Sequence, residues 1–220
     1  MHDLIANERI IGAKDWATCL FVFCFAVIAI SRTVFETRFA EFIKLGISNK
    51  YTKIYKDSSN LLSWFTISFF VIQVISYAFL LQFALGYYKH IKINALTFVQ
   101  LVTIIAFFIL AKYLVEKIIA TAFSIEEFNE QFNLYKINYR TYIGLLLLPV
   151  NVALFYNVTP TAPLLYIILG IIIAATVASY LISLRIYQKL ILAKLFYFIL
   201  YLCALEIAPY YFMYYWFTNS

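Results

Sequence analysis

The stretch LLYIILGIIIAATVASYLISL, Leu164 to Leu184, carries no charged residue. Twenty-one residues of helix at 1.5 Å rise per residue cover about 30 Å, the thickness of a bilayer's hydrocarbon core. An apolar run this long reads as a transmembrane helix. On its N-terminal side, WATCLFVFCFAVIAIS (Trp16 to Ser31) reads the same way and extends a turn further. The full set of expected spans is 16–34, 61–85, 95–115, 141–156, 164–184 and 195–217, about six in all. The fourth is the weakest, being short and broken by Pro149, and a five-span alternative with a re-entrant segment there stays open.

The whole chain agrees with its most apolar stretch. Of its 220 residues 65% are hydrophobic and 13% charged, with mean hydropathy +0.87. Soluble domains run at roughly 45–50% apolar and about 25% charged. The expected fold class is therefore all-α, a polytopic transmembrane bundle whose solvent is the lipid bilayer. No Pro/Gly/Ser-rich linker divides the chain, so residues 1–220 read as one integral membrane domain. MHDLIANERIIGAKD (1–15) carries three acids and two bases, and no small-residue cleavage site follows it. The run beginning at Trp16 is thus read as a retained helix rather than a removable signal.

The positions of Lys and Arg set the expected orientation. Thirteen of the 17 fall at the C-terminal ends of spans one and three or in the segments after spans one, three and five, and four lie on the other side (Arg9, Lys14, Lys89 and Lys92). The positive-inside bias places the thirteen in the cytoplasm and both termini outside it. The net charge of +6 belongs to this topology and to anionic headgroups, so no nucleic-acid partner is implied.

Two of the basic segments carry helical periodicity. Phe35, Phe39, Phe42, Ile43 and Ile47 share one face of residues 34–47, a pattern suited to a helix in the headgroup layer. Behind a capping box at Ser124–Glu127, Ile125, Phe128, Phe132 and Tyr135 form a second stripe. Two amphipathic interfacial helices are expected. Their aromatic faces (Phe35, Phe39, Phe42, Phe128, Phe132) either dock a partner or pack on the bundle and lipid.

Glu206 is the residue most suggestive of chemistry. It lies about ten residues from either end of the sixth span, near the midplane. A carboxyl group there is costly on insertion, roughly 2.5–3.5 kcal/mol, and calls for protonation, a partner or water. Pro209 removes the helical donor of the Leu205 carbonyl, so a kink adjoins the carboxyl. Gln73, Asn151 and Thr103 are possible partners, and Asn151 closely follows Pro149. Two broken helices with polar groups at similar depth suit a proton or cation path. An interhelical hydrogen bond is the plainer reading.

Other chemistry is not indicated. Cys19, Cys24 and Cys203 lie in apolar runs with no CxxC spacing, which supports neither a disulfide frame nor zinc. His2 and His90 sit outside the expected spans. HExxH, GxSxG, P-loop and paired-carboxylate patterns do not occur. No metal, soluble cofactor or enzymatic activity is expected.

Some segments are familiar. FYFILYLCALEIAP (Phe196 to Pro209) resembles the closing LYLCxLEIxP motif of a Bacteroidota family of membrane proteins known only as a domain of unknown function. NYRTYIGLLLLP (Asn138 to Pro149) is similar to that family's Asn…Gly-Leu-rich-Pro segment, and SNKYTKIYKD (Ser48 to Asp57) to its basic aromatic loop. The aromatic ending YYFMYYWF departs from the family's more aliphatic tail. The resemblance implies a bacterial inner membrane, with periplasmic termini, and places Glu206 and Pro209 inside a motif. It implies no activity. The expected role is a non-enzymatic subunit or accessory of a larger envelope complex, for instance in protein export or envelope assembly. A small proton-coupled transporter or proton conductor centred on Glu206 is the alternative.

Overall fold

The computed structural model describes residues 15–46, 48, 50–55, 63–88, 93–122, 126–156 and 162–186, with 211 and 215. These form seven α-helices: α1 Asp15–Val34, α2 Glu36–Ile43, α3 Lys50–Ile54, α4 Trp64–Tyr88, α5 Ala95–Ala122, α6 Glu126–Tyr156 and α7 Ala162–Ile186. A 3₁₀ turn, Lys44–Gly46, follows α2. Five helices, α1 and α4 to α7, are long and apolar enough to cross a membrane. The protein is a multi-pass integral membrane protein. The sixth expected span, including Glu206 and Pro209, lies outside the described residues apart from Tyr211 and Tyr215.

α4 is the centre of the bundle. Over half of its membrane window is buried (56%), against 6% for α7. Its broadest interface is with α6, and α5 and α1 also lie against it. Trp64 and Tyr87, exposed near its two ends, are about 35 Å apart at helical rise. That separation suits aromatic anchors at the two faces of a bilayer.

Packing inside the bundle is aromatic at both ends. Near one end, Phe79 of α4 meets Phe21 of α1 at 4.5 Å and Phe98 of α5 at 4.4 Å between ring centroids. Trp16 and Phe155 of α6 complete the group at 5.8 and 6.0 Å. Near the other end, Phe42 of α2 contacts Tyr51, Phe65, Phe69 and Tyr142.

Two expectations require correction. α6 is one continuous helix of 31 residues with Pro149 inside it. Pro149 therefore neither breaks the fourth span nor makes it re-entrant, and neighbouring helices hold the freed backbone in place. The second expected interfacial helix is the beginning of this same helix, which meets α5 across the short connection at 123–125. The sequence suggested a separate element because residues 126–140 are polar. Here the helix continues past the apolar zone.

The first expected interfacial helix does form, as α2 turned off the end of α1 at Phe35 (φ −122°, ψ 48°). Its aromatic face turns inward. Phe42 is buried, Phe39 packs on Phe69, and Phe35 meets Phe65 edge to face. Phe132 on α6 is also buried, with Tyr180 of α7 against it. Of the two readings of these faces, packing within the chain is what Phe35, Phe39, Phe42 and Phe132 display. Phe128 falls on α6, with its side chain outside the described set.

Candidate functional site

Gln73 and Asn151, singled out from sequence, both lie in the α4–α6 seam. Gln73 is 1% exposed, and its Oε1 accepts a 2.9 Å bond from the Thr141 hydroxyl. Asn151 Nδ2 donates to the Ser76 carbonyl at 2.8 Å. These bonds tie the two central helices together at two depths. Each side chain also has a polar atom without a partner among the described residues, Gln73 Nε2 and Asn151 Oδ1, and Ser76 Oγ on α4 is a third such atom. Thr103 is not part of this seam. It is exposed, and its hydroxyl turns back to the Val99 carbonyl of its own helix.

A more strongly charged site lies nearer the end where α5 and α6 are joined. A cavity of about 190 Å³ opens between α4, α5 and α6. Helical spacing builds its walls. Lys112 and Glu116 are one turn apart on α5, while Asn133, Lys136 and Arg140 recur on one face of α6. Because the helices are antiparallel, Glu116 meets Lys136, with Oε1 and Nζ 3.2 Å apart and side chains only 4% and 10% exposed. Lys136 also lies over the Phe132 ring, 5.3 Å from its centroid. The Glu116 carbonyl accepts from Asn129, whose Oδ1 accepts from Asn133.

One turn further into the bundle on both helices come Lys112 and Arg140, which line the same cavity with Gln73. Lys112 is buried. The remaining wall is mostly apolar, with Phe70, Ile109 and Ile137 beside Thr66 and Tyr113. The cavity thus has a charged part, with three cations and one carboxylate among its described lining residues, and an apolar part.

A third polar node anchors α2 and α3. Arg38 is nearly buried and donates to Tyr51 Oη, Ser63 Oγ and Thr66 Oγ1. Its guanidinium lies 4.8 Å from the ring centroids of both Tyr55 and Phe65. Burial pushes the Tyr51 phenol above its ordinary range, while the hydrogen bond and charge of Arg38 pull the other way.

The family model described as "Domain of unknown function (DUF4271)" matches residues 17–217. The chain belongs to this family. The match takes in all of the transmembrane helices described above except the first two residues of α1, and extends over Glu206 and Pro209. Comparison with curated proteins and with solved structures found no match.

Within this DUF4271 chain, sequence reasoning found Gln73 and Asn151 and missed the charged cavity. Lys112, Lys136 and Arg140 were legible only as topogenic charges while residues 124–135 were read as an interfacial helix separate from the spans on either side. The available signal was their spacing. Lys112 and Glu116 are four apart, and Lys136 and Arg140 are four apart, so each pair occupies one helical face once the helices are known to continue.

Proposed function

We propose that this DUF4271 protein is a non-enzymatic subunit or accessory of a larger inner-membrane complex, as in protein export or envelope assembly. The observation that carries this reading is the α4–α6 seam. Its polar groups are engaged as interhelical ties, Gln73 with Thr141 and Asn151 with the Ser76 backbone. Such ties hold a scaffold rather than opening a path. The basic end is ordered by Arg38 and the Glu116–Lys136 pair. In this reading it faces the cytoplasm of a bacterial cell of the Bacteroidota, with both termini periplasmic.

Tagging the protein at its chromosomal locus and identifying what co-purifies at native abundance tests the proposal. A stoichiometric set of envelope proteins is expected. A lone monodisperse monomer, in several detergents and in native membranes, would sink it.

One observation favours the alternative of proton-coupled transport centred on Glu206. Gln73 Nε2 and Asn151 Oδ1 are buried hydrogen-bonding atoms with no partner among the described residues, and a carboxyl group would suit them. Glu206→Gln keeps shape while removing the titratable proton. Loss of activity with folding intact would support transport, and full function would remove it.

A further inference from the structure

We propose that the cavity between α4, α5 and α6 is a blind aqueous inlet, which carries water from the basic end of the bundle to the middle of the membrane and stops there. This inference stands independently of whether the protein is a subunit or a transporter.

The depth is read along α4. Thr66 and Gln73 both line the cavity. At helical rise they lie about 3 and 14 Å from Trp64, on a helix whose aromatic ends are about 35 Å apart. The cavity therefore runs from near one face to near mid-depth. Polar side chains follow it inward. Glu116, Asn133 and Lys136 line its outer level, Lys112 and Arg140 the level one turn deeper, and Gln73 its inner end. There a Cβ built at Gly144 would stand 2.9 Å from Gln73 Cα, so α6 closes on α4 and ends the space.

Two groups at the inner end call for water. Arg140 is always charged. Its neighbour Thr141 donates to Gln73 at 2.9 Å, so the Arg140 backbone lies as deep as Gln73. The Arg140 carbonyl accepts from Tyr77 Oη, whereas its guanidinium has no hydrogen bond or ion pair among the described residues. Gln73 is 1% exposed, and its Nε2 is likewise without a partner among them. Lys112 has an interaction of its own and carries no part of this demand. A guanidinium and an amide donor kept in hydrocarbon without acceptors are costly. A volume of about 190 Å³ has room for on the order of ten waters, enough to hydrate both. An acyl chain is the competing occupant, because Ile67 and Leu110 line the cavity and are exposed. A chain would match the apolar wall and leave both polar groups unsatisfied.

The test uses the full-length protein in nanodiscs, with Cys19, Cys24 and Cys203 replaced by alanine. Ile109 and Phe107 are two residues apart on α5 and nearly equal in depth. Ile109 lines the cavity, and Phe107 is 73% exposed on the outer surface. Single cysteines are placed at Ile109, Ile137 and Phe107 and treated with an anionic methanethiosulfonate, and the rate is read by intact mass. A thiol in hydrocarbon neither ionises nor meets this reagent, so Ile109→Cys and Ile137→Cys should react at least about tenfold faster than Phe107→Cys. Equally slow reaction at Ile109→Cys and Phe107→Cys overturns the proposal and assigns the cavity to an acyl chain. Fast reaction at Ile137→Cys alone confines water to the outer level and overturns the reach to Gln73. Hydroxyl-radical footprinting of the wild type needs no variant to fold. It should modify Phe70, on the cavity wall, more than Phe107, and equal modification of the two rings also overturns the proposal.

Discussion

Gly144 of α6 lies directly against the backbone of Gln73 of α4. A Cβ built at Gly144 would stand 2.9 Å from Gln73 Cα and 3.0 Å from its Cβ. In a membrane, where lipid is as apolar as the helices, association depends on close packing and hydrogen bonds rather than on burial from water. The missing side chain allows α4 and α6 to approach, and that approach brings Thr141 within 2.9 Å of Gln73 Oε1.

Gly144→Ala should therefore destabilise the bundle despite the better helix propensity of alanine. The contact is with backbone, so a rotamer change at Gln73 does not relieve it. A loss of about 1–3 kcal/mol is expected for such overpacking, read by reversible unfolding in mixed micelles. Gly170→Ala on α7 is the control, because a Cβ there meets nothing within 4 Å. Equal effects at the two glycines would contradict the account.

The relationship also marks how far the sequence could be read. Leu164 to Leu184 announced its helix by length and apolarity, and α1, α4 and α5 began or ended near their expected limits. Those features depend only on transfer of side chains to lipid. Whether residues 126–140 continue the helix of the fourth span was not decided by apolarity, because that part lies beyond the apolar zone. Pro149 looked like a stop, since its missing N–H counts heavily in water and less among packed helices. Gln73 and Asn151 were found because a polar side chain within an apolar span needs a partner. Their actual partners, Thr141 and the Ser76 carbonyl, were a matter of register. The charged cavity depended on the same register. Sequence showed four charged residues, and only the antiparallel α5–α6 pair brings Glu116 to Lys136.

That ion pair yields a second prediction. Glu116→Leu leaves the largely buried Lys136 beside an apolar group, and loss of one member of a buried pair costs roughly 3–5 kcal/mol. Glu116→Leu combined with Lys136→Met removes both charges and should recover most of the loss, because two desolvation penalties vanish together. The measurement is a double-mutant cycle in unfolding free energy. A double variant as unstable as the sum of its singles would show that the two groups do not act as a pair.

Arg38 and Tyr51 predict a dependence on alkaline pH. Tyr51 has its phenol raised by burial above the ordinary value of 10.0. In the unfolded chain the phenol ionises from about pH 10, whereas in the folded protein it remains neutral to higher pH. Its contribution is thus fully present below pH 10 and is lost as pH rises from there toward the folded value. Tyr51→Phe also removes the acceptor for Arg38 Nε, a charge-assisted bond worth about 1.5–3 kcal/mol. The wild type should be more stable than Tyr51→Phe at neutral pH, and the gap should narrow above pH 10. A gap that widens there would reverse the assigned direction.

Phe79 gathers rings from α1, α5 and α6, with Phe21 and Phe98 at 4.5 and 4.4 Å and Phe155 at 6.0 Å. It is fully buried, whereas Phe107 on α5 is 73% exposed and faces outward toward lipid. If burial from water governed stability, truncation of either ring would weaken the fold on transfer from an aqueous reference. In a bilayer the reference is apolar, so only the ring that packs on protein should matter. Phe79→Ala is expected to lose at least about 2 kcal/mol through the cavity it leaves among four helices. Phe107→Ala should change stability by no more than about 0.5 kcal/mol, typical of a surface site. Unfolding in lipid nanodiscs compares them directly. A substantial loss at Phe107 would mean that its face of α5 is covered by protein rather than lipid, which would redirect the search for a partner to that helix.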